Sequence, residues 1–214
     1  MRLVFVRHGE TYANAEERLQ GRDDTELSPV GRAQVEKLSR RFEEEGFNPT
    51  HAYSSPLRRA AHTAEILTRR WPVAAEPWRD LMEYDIGVAS GMTWEEIVEK
   101  YPGIDRELEA SRGLAGVEGA EPLADRRARA QRVIDAVLSR HAHGDVVLLV
   151  THGGILQQLL AVLLGTSRTW GLRARNSAVF DFSIDLDRWS MDGDVLLSTA
   201  FWRIARFNDT VHLD

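Results

Sequence analysis

The chain has 214 residues, 43% of them hydrophobic and 28% charged, enough for one sizeable α/β domain or two small ones around a substantial core. Its 33 acidic and 27 basic side chains leave a net charge of −6 with no long basic run, which argues against binding nucleic acid through its phosphates. It has no cysteine, and that excludes a disulfide framework, thiolate zinc sites, iron–sulfur clusters and a cysteine nucleophile.

The opening run Met1 to Val6 meets Arg7-His8 too soon to form a signal-peptide core. No apolar run approaches the roughly 20 residues that span a bilayer, so the expected location is the cytoplasm, with no membrane partner. Leu3 to Val6 reads as a buried strand. Ser28-Pro29 offers an N-cap followed by a first-turn proline, predicting a charged amphipathic helix to about Glu45. His51 to Tyr53 reads as a second strand, Ser54-Ser55-Pro56 as another cap-and-proline start, and Leu57 to Arg70 as a helix. Val73 to Ala75 is expected as a short strand. Residues 92–118 read as a helical excursion ending in a Gly/Ala-rich loop, and a long helix is expected from Pro122 to His141. The strongest strand signal is the five-residue apolar run Val146 to Val150, followed by an apolar helix from Ile155 to Leu164. Ala178 to Ile184 and Val195 to Ile204 read as late strands. Strands alternating with helices imply a three-layer α/β/α fold with a mostly parallel sheet.

Three strand-to-helix junctions carry unusual residues: Arg7-His8-Gly9-Glu10-Thr11, Ser55-Pro56-Leu57-Arg58-Arg59 and Thr151-His152-Gly153-Gly154. In a parallel sheet these junctions share one edge, where α/β proteins bind ligands. His8, His152 and an arginine would then converge on one crevice, with Gly9 and Gly153 allowing close backbone approach and helix N-termini adding positive charge for an anion. Taken singly, each piece has a bland reading as a structural histidine or a solvated arginine. Three cationic junctions together point to phosphate. No Walker A loop, Gly-x-Gly-x-x-Gly, EF-hand loop or His-Glu-x-x-His occurs in the chain, so no metal or nucleotide motif is present.

Arg7-His8-Gly9-Glu10-Thr11-Tyr12-Ala13-Asn14 resembles the Arg-His-Gly-Glu-(Ser/Thr)-x-x-Asn signature of the histidine phosphatase superfamily, which includes cofactor-dependent phosphoglycerate mutases and many small-molecule phosphatases. Gln20-Gly21 with Asp24, Leu27-Ser28 and Gly31 resembles the segment that follows it. Ser54-Ser55-Pro56-Leu57-Arg58-Arg59-Ala60 with Thr63-Ala64 is similar to a second motif and places the phosphate-binding arginine at Arg59. Leu81-Met82-Glu83 with Gly87 and Gly91 resembles the segment bearing the acid catalyst, Thr151-His152-Gly153 the second-histidine motif, and Asn176-Ser177-Ala178 a late motif. The resemblance implies one domain over 1–214, phosphoglycerate mutase-like, with a small helical cap inserted at about 92–118.

The chain departs from the family where Ala120-Glu121-Pro122 stands for Gly-Glu-Ser, and where Ala89 stands for a frequent aromatic. Ile86 and Trp94 occupy the positions of the mutases' substrate-contacting Tyr and Lys, and only Arg112 of their paired arginines has a counterpart. The resemblance implies His8 as a nucleophile whose second ring nitrogen donates to a backbone carbonyl near Gly9. Arg7, Arg59 and, if protonated, His152 would stabilise the phosphoryl oxygens, and Glu83 would serve as general acid and base. Asn14, Thr11, Gln20, Gly21, Gly153 and Arg112 are the expected substrate contacts, Arg112 for a second anionic group. No metal or organic cofactor is implied. The expected activity is hydrolysis of a small phosphomonoester; a phosphoglycerate mutase and a catalytically dead phosphate-binding relative are the alternatives. The C-terminal Phe207 to Leu213 could dock locally or reach a partner subunit, leaving a homodimer open.

Overall fold

The computed structural model describes residues 1–104, 114, 117–168, 172–187 and 202–214. Its centre is a six-stranded sheet built from β1 (Arg2–Arg7), β2 (His51–Ser54), β3 (Glu76–Pro77), β4 (Val146–Thr151), β5 (Val179–Ile184) and β6 (Trp202–Asp209), in the order β3-β2-β4-β1-β5-β6. The first four strands in that order run parallel, with Val4 opposite Leu148 and Arg7 opposite Thr151, while β5 and β6 are antiparallel to their neighbours. The fold is thus α/β with a mostly parallel sheet.

The sheet is central because β1 and β4 are apolar on both faces, a pattern that requires cover on both sides. Successive side chains alternate between the faces. Val4, Val6, Leu148 and Val150 pack under α2 (Pro29–Glu44) and α3 (Arg58–Thr68), through Val35, Leu38, Phe42, Ala60, Ala64 and Leu67. Leu3, Phe5, Val147 and Leu149 face α5 (Leu123–Arg140) and α6 (Gly153–Leu163), meeting Val133, Ile134, Val137, Leu156 and Leu159. A third cluster, Ile86, Ala89, Ile97, Ile104, Leu114 and Val117, lies apart from these two. It includes α4 (Trp94–Lys100), the described part of the expected cap helix, whose start Thr93 and Glu96 close with reciprocal side-chain-to-backbone bonds.

Several boundaries differ from the sequence reading. The short edge strand is Glu76–Pro77 rather than residues 73–75, pairing through Tyr53 and Ser54. Ser55 does not cap α3: the cap position is Leu57, and Ser55 Oγ accepts from the Leu57 N–H at 3.2 Å and from a histidine described below. Helix α6 starts two residues earlier than expected, at Gly153. The last strand is described over Trp202–Asp209 and so runs past the expected end at Ile204; residues 188–201, and with them most of the expected 195–204 strand, lie outside the described set. The C-terminal turn Val211–Leu213 docks on its own chain, with Lys37 Nζ donating to Leu213 O at 3.3 Å and Arg41 paired to Asp209 at 2.7 Å. Among the described residues no helix is long and apolar enough to cross a membrane.

Candidate active site

The C-terminal ends of the parallel strands β1, β2 and β4 deliver Arg7, Ser54 and Thr151 to one edge of the sheet, and the residues just past them build a cleft. A cavity of about 250 Å³ there is lined by Arg7, His8, Asn14, Gln20, Gly21, Arg59, Glu83 and Gly153, among others.

His8 is held by its own loop. Its N–H donates to Thr151 O at 2.9 Å, and Nδ1 lies 2.7 Å from Gly9 O, which assigns the proton to Nδ1. Nε2 is then left with its lone pair and makes no hydrogen bond among the described residues. Burial, reinforced by the neighbouring Arg7 and Arg59 charges, holds the imidazole well below its ordinary range against the opposing Gly9 contact, so the ring is neutral. Gly9 cannot be replaced without displacing α2: a Cβ there would lie 2.6 Å from Gly31 O and 2.8 Å from Val35 Cγ2.

The second histidine, His152, is buried with its ring 5.0 Å from that of His8, centroid to centroid. Arg59 Nε donates to its Nδ1 at 3.1 Å, so the proton sits on Nε2, 2.7 Å from Ser55 Oγ. Burial and then the Arg59 charge push His152 well below its usual value. The condition of a protonated ring is therefore not met here, because one of its nitrogens already accepts from a cation.

Arg59, in the first turn of α3, is buried, and its Nη1 and Nη2 donate to Asp23 O at 2.6 Å and Gly21 O at 2.7 Å. Burial, chiefly, pushes it down to about 10. Its neighbour Arg58 is exposed and paired with Asp24 and Glu26. Arg7 Nη1 donates to Ala174 O at 2.5 Å, while its buried Nε has no partner. Burial lowers Arg7; Glu83 opposes this and Arg173 adds to it.

Glu83 follows a 3₁₀ turn, Arg79–Leu81, and reaches the first turn of α6. Its Oε2 accepts from Gly154 N at 2.7 Å, and its Oε1 from Ile155 N at 2.8 Å and Tyr84 N at 3.0 Å. The helix terminus expected to face phosphate is thus occupied by the protein's own carboxylate, which satisfies its free amides and its dipole. Of the carboxylate's roughly four acceptor positions these bonds use three, leaving one on Oε2.

Two further expectations change. Thr11 is buried but does not line the cavity: it caps the short helix α1 (Tyr12–Ala15), its Oγ1 accepting from Asn14 N at 3.1 Å, while Thr11 N donates to Asn14 Oδ1 at 3.3 Å. Gly153 lines the cavity but has room for a side chain, its nearest contact being Arg7 Nε at 3.5 Å from a built Cβ. The glycine that sterics demand is Gly154, where a Cβ would lie 2.1 Å from the Tyr84 ring. Arg112 lies outside the described residues.

The sequence reading also missed the frame behind Glu83. Arg129, buried on α5, donates to Asp80 O at 2.8 Å and Met82 O at 2.5 Å and pairs with Glu121 at 2.9 Å. Glu121 also receives Arg22 at 3.2 Å. Arg126, one turn earlier, stacks over the Tyr84 ring at 3.9 Å from its centroid, and burial, then Glu83, push Tyr84 up to about 12. Arg126 and Arg129 share the buried face of α5 with Ala130 and Val133, and charged residues on an otherwise apolar face were the available signal. Among the described residues one group, His143, Asp185 and Asp187, has ligand-type atoms within 4.8 Å of one another. None of the three lines the cavity.

A neutral imidazole with a free lone pair, beside guanidinium donors in a largely buried cleft, is arranged for group transfer from an anion. Comparison with known proteins narrows this to phosphoryl transfer. The model of the histidine phosphatase superfamily (branch 1) matches residues 3–193, and the chain belongs to that family. It is 30% identical over 219 residues to phosphoglycerate mutase-like protein 4 of Arabidopsis thaliana, covering 99% of this chain and 86% of the relative. Among solved structures it is similar to a mycobacterial glucosyl-3-phosphoglycerate phosphatase, with a TM-score of 0.76 and 28% identity over 97% of this chain and 98% of the other. It is also similar to Bacillus stearothermophilus YhfR, with a TM-score of 0.82 and 26% identity over 100% and 99%.

Proposed function

We propose that the protein is a phosphomonoesterase that hydrolyses a small phosphorylated molecule through a phosphohistidine on His8. The observation that carries this reading is the His8 ring itself: Nδ1 is committed to Gly9 O at 2.7 Å and the imidazole is held neutral, so Nε2 is a nucleophile at ordinary pH.

In the first step the Nε2 lone pair forms a bond to phosphorus as the bond to the leaving oxygen breaks. The proton carried by Glu83, on the acceptor position its amides leave open, goes to that oxygen. In the second step Glu83 as carboxylate takes a proton from water, whose oxygen attacks phosphorus as the P–N bond breaks. A guanidinium has five N–H donors. Arg59 spends three on His152, Gly21 and Asp23, leaving two for phosphoryl oxygens; Arg7 spends one on Ala174 and, with its Nε buried, leaves three on Nη1 and Nη2. Asn14 Nδ2 adds a neutral donor at the same wall. His152 and Ser55 hold the Arg59 fork in plane, which keeps those donors aimed without reorganisation during transfer.

The name of the Arabidopsis relative favours a second reading, a phosphoglycerate mutase. A mutase must bind the glycerate tightly and keep water off the phosphohistidine while it turns over. Ile86 on the cavity wall and Trp94 on α4 stand where the resemblance places the mutase Tyr and Lys, and neither side chain can hold a carboxylate by charge. Hydrolysis is therefore the preferred outcome. The test is phosphate release from p-nitrophenyl phosphate and a set of metabolite phosphates, beside coupled mutase assays on 3-phosphoglycerate with 2,3-bisphosphoglycerate supplied. Phosphate release should dominate; mutase turnover exceeding it on every monoester would overturn the reading.

A further inference from the structure

Beyond its phosphate-binding end the cleft continues. The 250 Å³ cavity and a second one of about 700 Å³ share Arg7, Asn14, Arg18, Leu19, Arg173 and Ala174 in their walls. The smaller cavity has four guanidinium groups on its wall, from Arg7, Arg18, Arg59 and Arg173, against one carboxylate, Glu83. A phosphoryl dianion balances Arg7 and Arg59. Arg18 is already engaged, donating to Glu96 at 2.9 Å and to Gly91 O at 2.7 Å. Arg173 is the remaining charge: no carboxylate of the described residues lies within 4.0 Å of it, and its field reaches far enough to act on Arg7.

Arg173 is exposed, yet the backbone that carries it is fixed. Asn208, at the end of β6, donates from Nδ2 to Arg173 O at 3.2 Å and accepts from Arg175 N at 2.9 Å. Arg175 Nη1 donates to Thr210 Oγ1 at 2.8 Å, and Ser177 Oγ lies 2.9 Å from His212 Nε2. On its inner side the same segment touches the catalytic loop: Arg7 Nη1 reaches Ala174 O at 2.5 Å, Ser177 N reaches His8 O at 3.1 Å and Asn176 Nδ2 reaches His8 O at 3.2 Å. A cation on a segment tied on both sides costs little ordering on binding. Outside the shared wall the larger cavity adds Glu17 and Glu95 against Arg175, so its excess of cations lies at the junction of the two cavities, and an anion is favoured there over the part beyond.

We propose that Arg173 is a specificity residue that binds a second anionic group, a carboxylate or a phosphate, on the leaving portion of the phosphomonoester. The proposal rests on the phosphomonoesterase reading and names its substrate class. A guanidinium fork can take either anion bidentately.

The test compares kcat/KM for phosphate release within two matched pairs: 3-phosphoglycerate against glycerol 3-phosphate, which differ by a carboxylate, and fructose 1,6-bisphosphate against fructose 6-phosphate, which differ by a phosphate. The wild type should prefer the dianionic-plus-one member of at least one pair, and the pair that responds identifies the anion. Arg173→Ala should shrink that preference by about ten- to a hundredfold, the worth of a charge-assisted hydrogen-bonded pair, and Arg173→Lys, which keeps the charge without the fork, should recover part of it. A wild type without preference in either pair, or a preference that Arg173→Ala leaves unchanged within about twofold, a factor far below that worth, overturns the proposal. Failure of the underlying reading looks different: the wild type would then release no phosphate from any of these compounds or from p-nitrophenyl phosphate.

Discussion

Replacing Glu83 by Gln removes the transferable proton while keeping the outline of the side chain. The carboxylate accepts three backbone N–H groups, two on Oε1 and one on Oε2. An amide can present its oxygen to Ile155 and Tyr84, but its NH2 then faces the Gly154 N–H, donor against donor. One hydrogen bond is lost and one donor is left without a partner, a cost of about 1–3 kcal/mol in stability. The kinetic cost is larger and depends on the substrate. In kcat/KM, which ends with phosphoryl transfer to His8, the Glu83→Gln enzyme should lose about 10²–10⁴-fold on alkyl phosphates, the usual worth of a positioned acid. It should lose least on p-nitrophenyl phosphate, whose leaving group needs little protonation. In kcat both substrates should suffer, because water attack on the phosphohistidine has lost its base, and a burst of p-nitrophenolate should precede the slow steady state. Stopped-flow absorbance and steady-state phosphate assays at several leaving-group pKa values read all three effects. An equal fall in kcat/KM for alkyl and nitrophenyl esters would refute the acid role and leave Glu83 as a structural anion at a helix terminus.

Three other outcomes follow from the same frame. Gly154→Ala drives a methyl into the Tyr84 ring, 2.1 Å from the built Cβ, so it should cost about 1–3 kcal/mol and depress turnover, and adding Tyr84→Ala should restore part of both. Arg129→Met strips the buried pair with Glu121 and two carbonyl contacts, which should destabilise the fold by up to about 3–5 kcal/mol in urea titrations, Arg22 still facing Glu121 and limiting the loss; Glu121→Gln added to it should relieve part of what remains, since the carboxylate then has one cation fewer. Buried His212, pushed down to about 4 chiefly by burial, takes up its proton later than in the unfolded chain as pH falls. The unfolded state therefore binds more protons between pH 6.5 and about 4, and stability falls with pH across that window. His212→Gln, whose amide can still donate to Ser177, should flatten this slope by up to about 1.4 kcal/mol per pH unit. A Tm difference between variant and wild type that stays constant from pH 7 to pH 4.5 would count against it.

Much of this arrangement was legible before the fold was known, for a physical reason. A parallel sheet gathers its strand ends on one edge, so reading β1 and β4 from their apolar runs, with His51 to Tyr53 as the strand between the first two helices, already brought His8, Arg59 and His152 together. What stayed hidden depended on partners distant in sequence. The amides at the start of α6 looked free for phosphate, and only the fold brings Glu83, some seventy positions earlier, onto them. The state of His152 is set the same way, by Arg59 on one nitrogen and Ser55 on the other, so it could not be read from its own motif. The resemblance placed Thr11 among the substrate contacts, but a threonine three residues before an asparagine is also a helix cap, and that local bond won. The last strand runs past its expected end at Ile204 to Asp209, through Arg206, Asn208 and Asp209, whose polar side chains broke the apolar run that marked it.

The central claim is that phosphate passes through a covalent bond to His8. It is tested most directly by quenching the wild-type enzyme in alkali during turnover of p-nitrophenyl phosphate and mapping the phosphoryl group by peptide mass spectrometry. The account predicts an acid-labile, alkali-stable adduct on the peptide bearing His8, more abundant in Glu83→Gln and absent with all turnover in His8→Ala. An adduct on another residue, or wild-type turnover by His8→Ala, would contradict it.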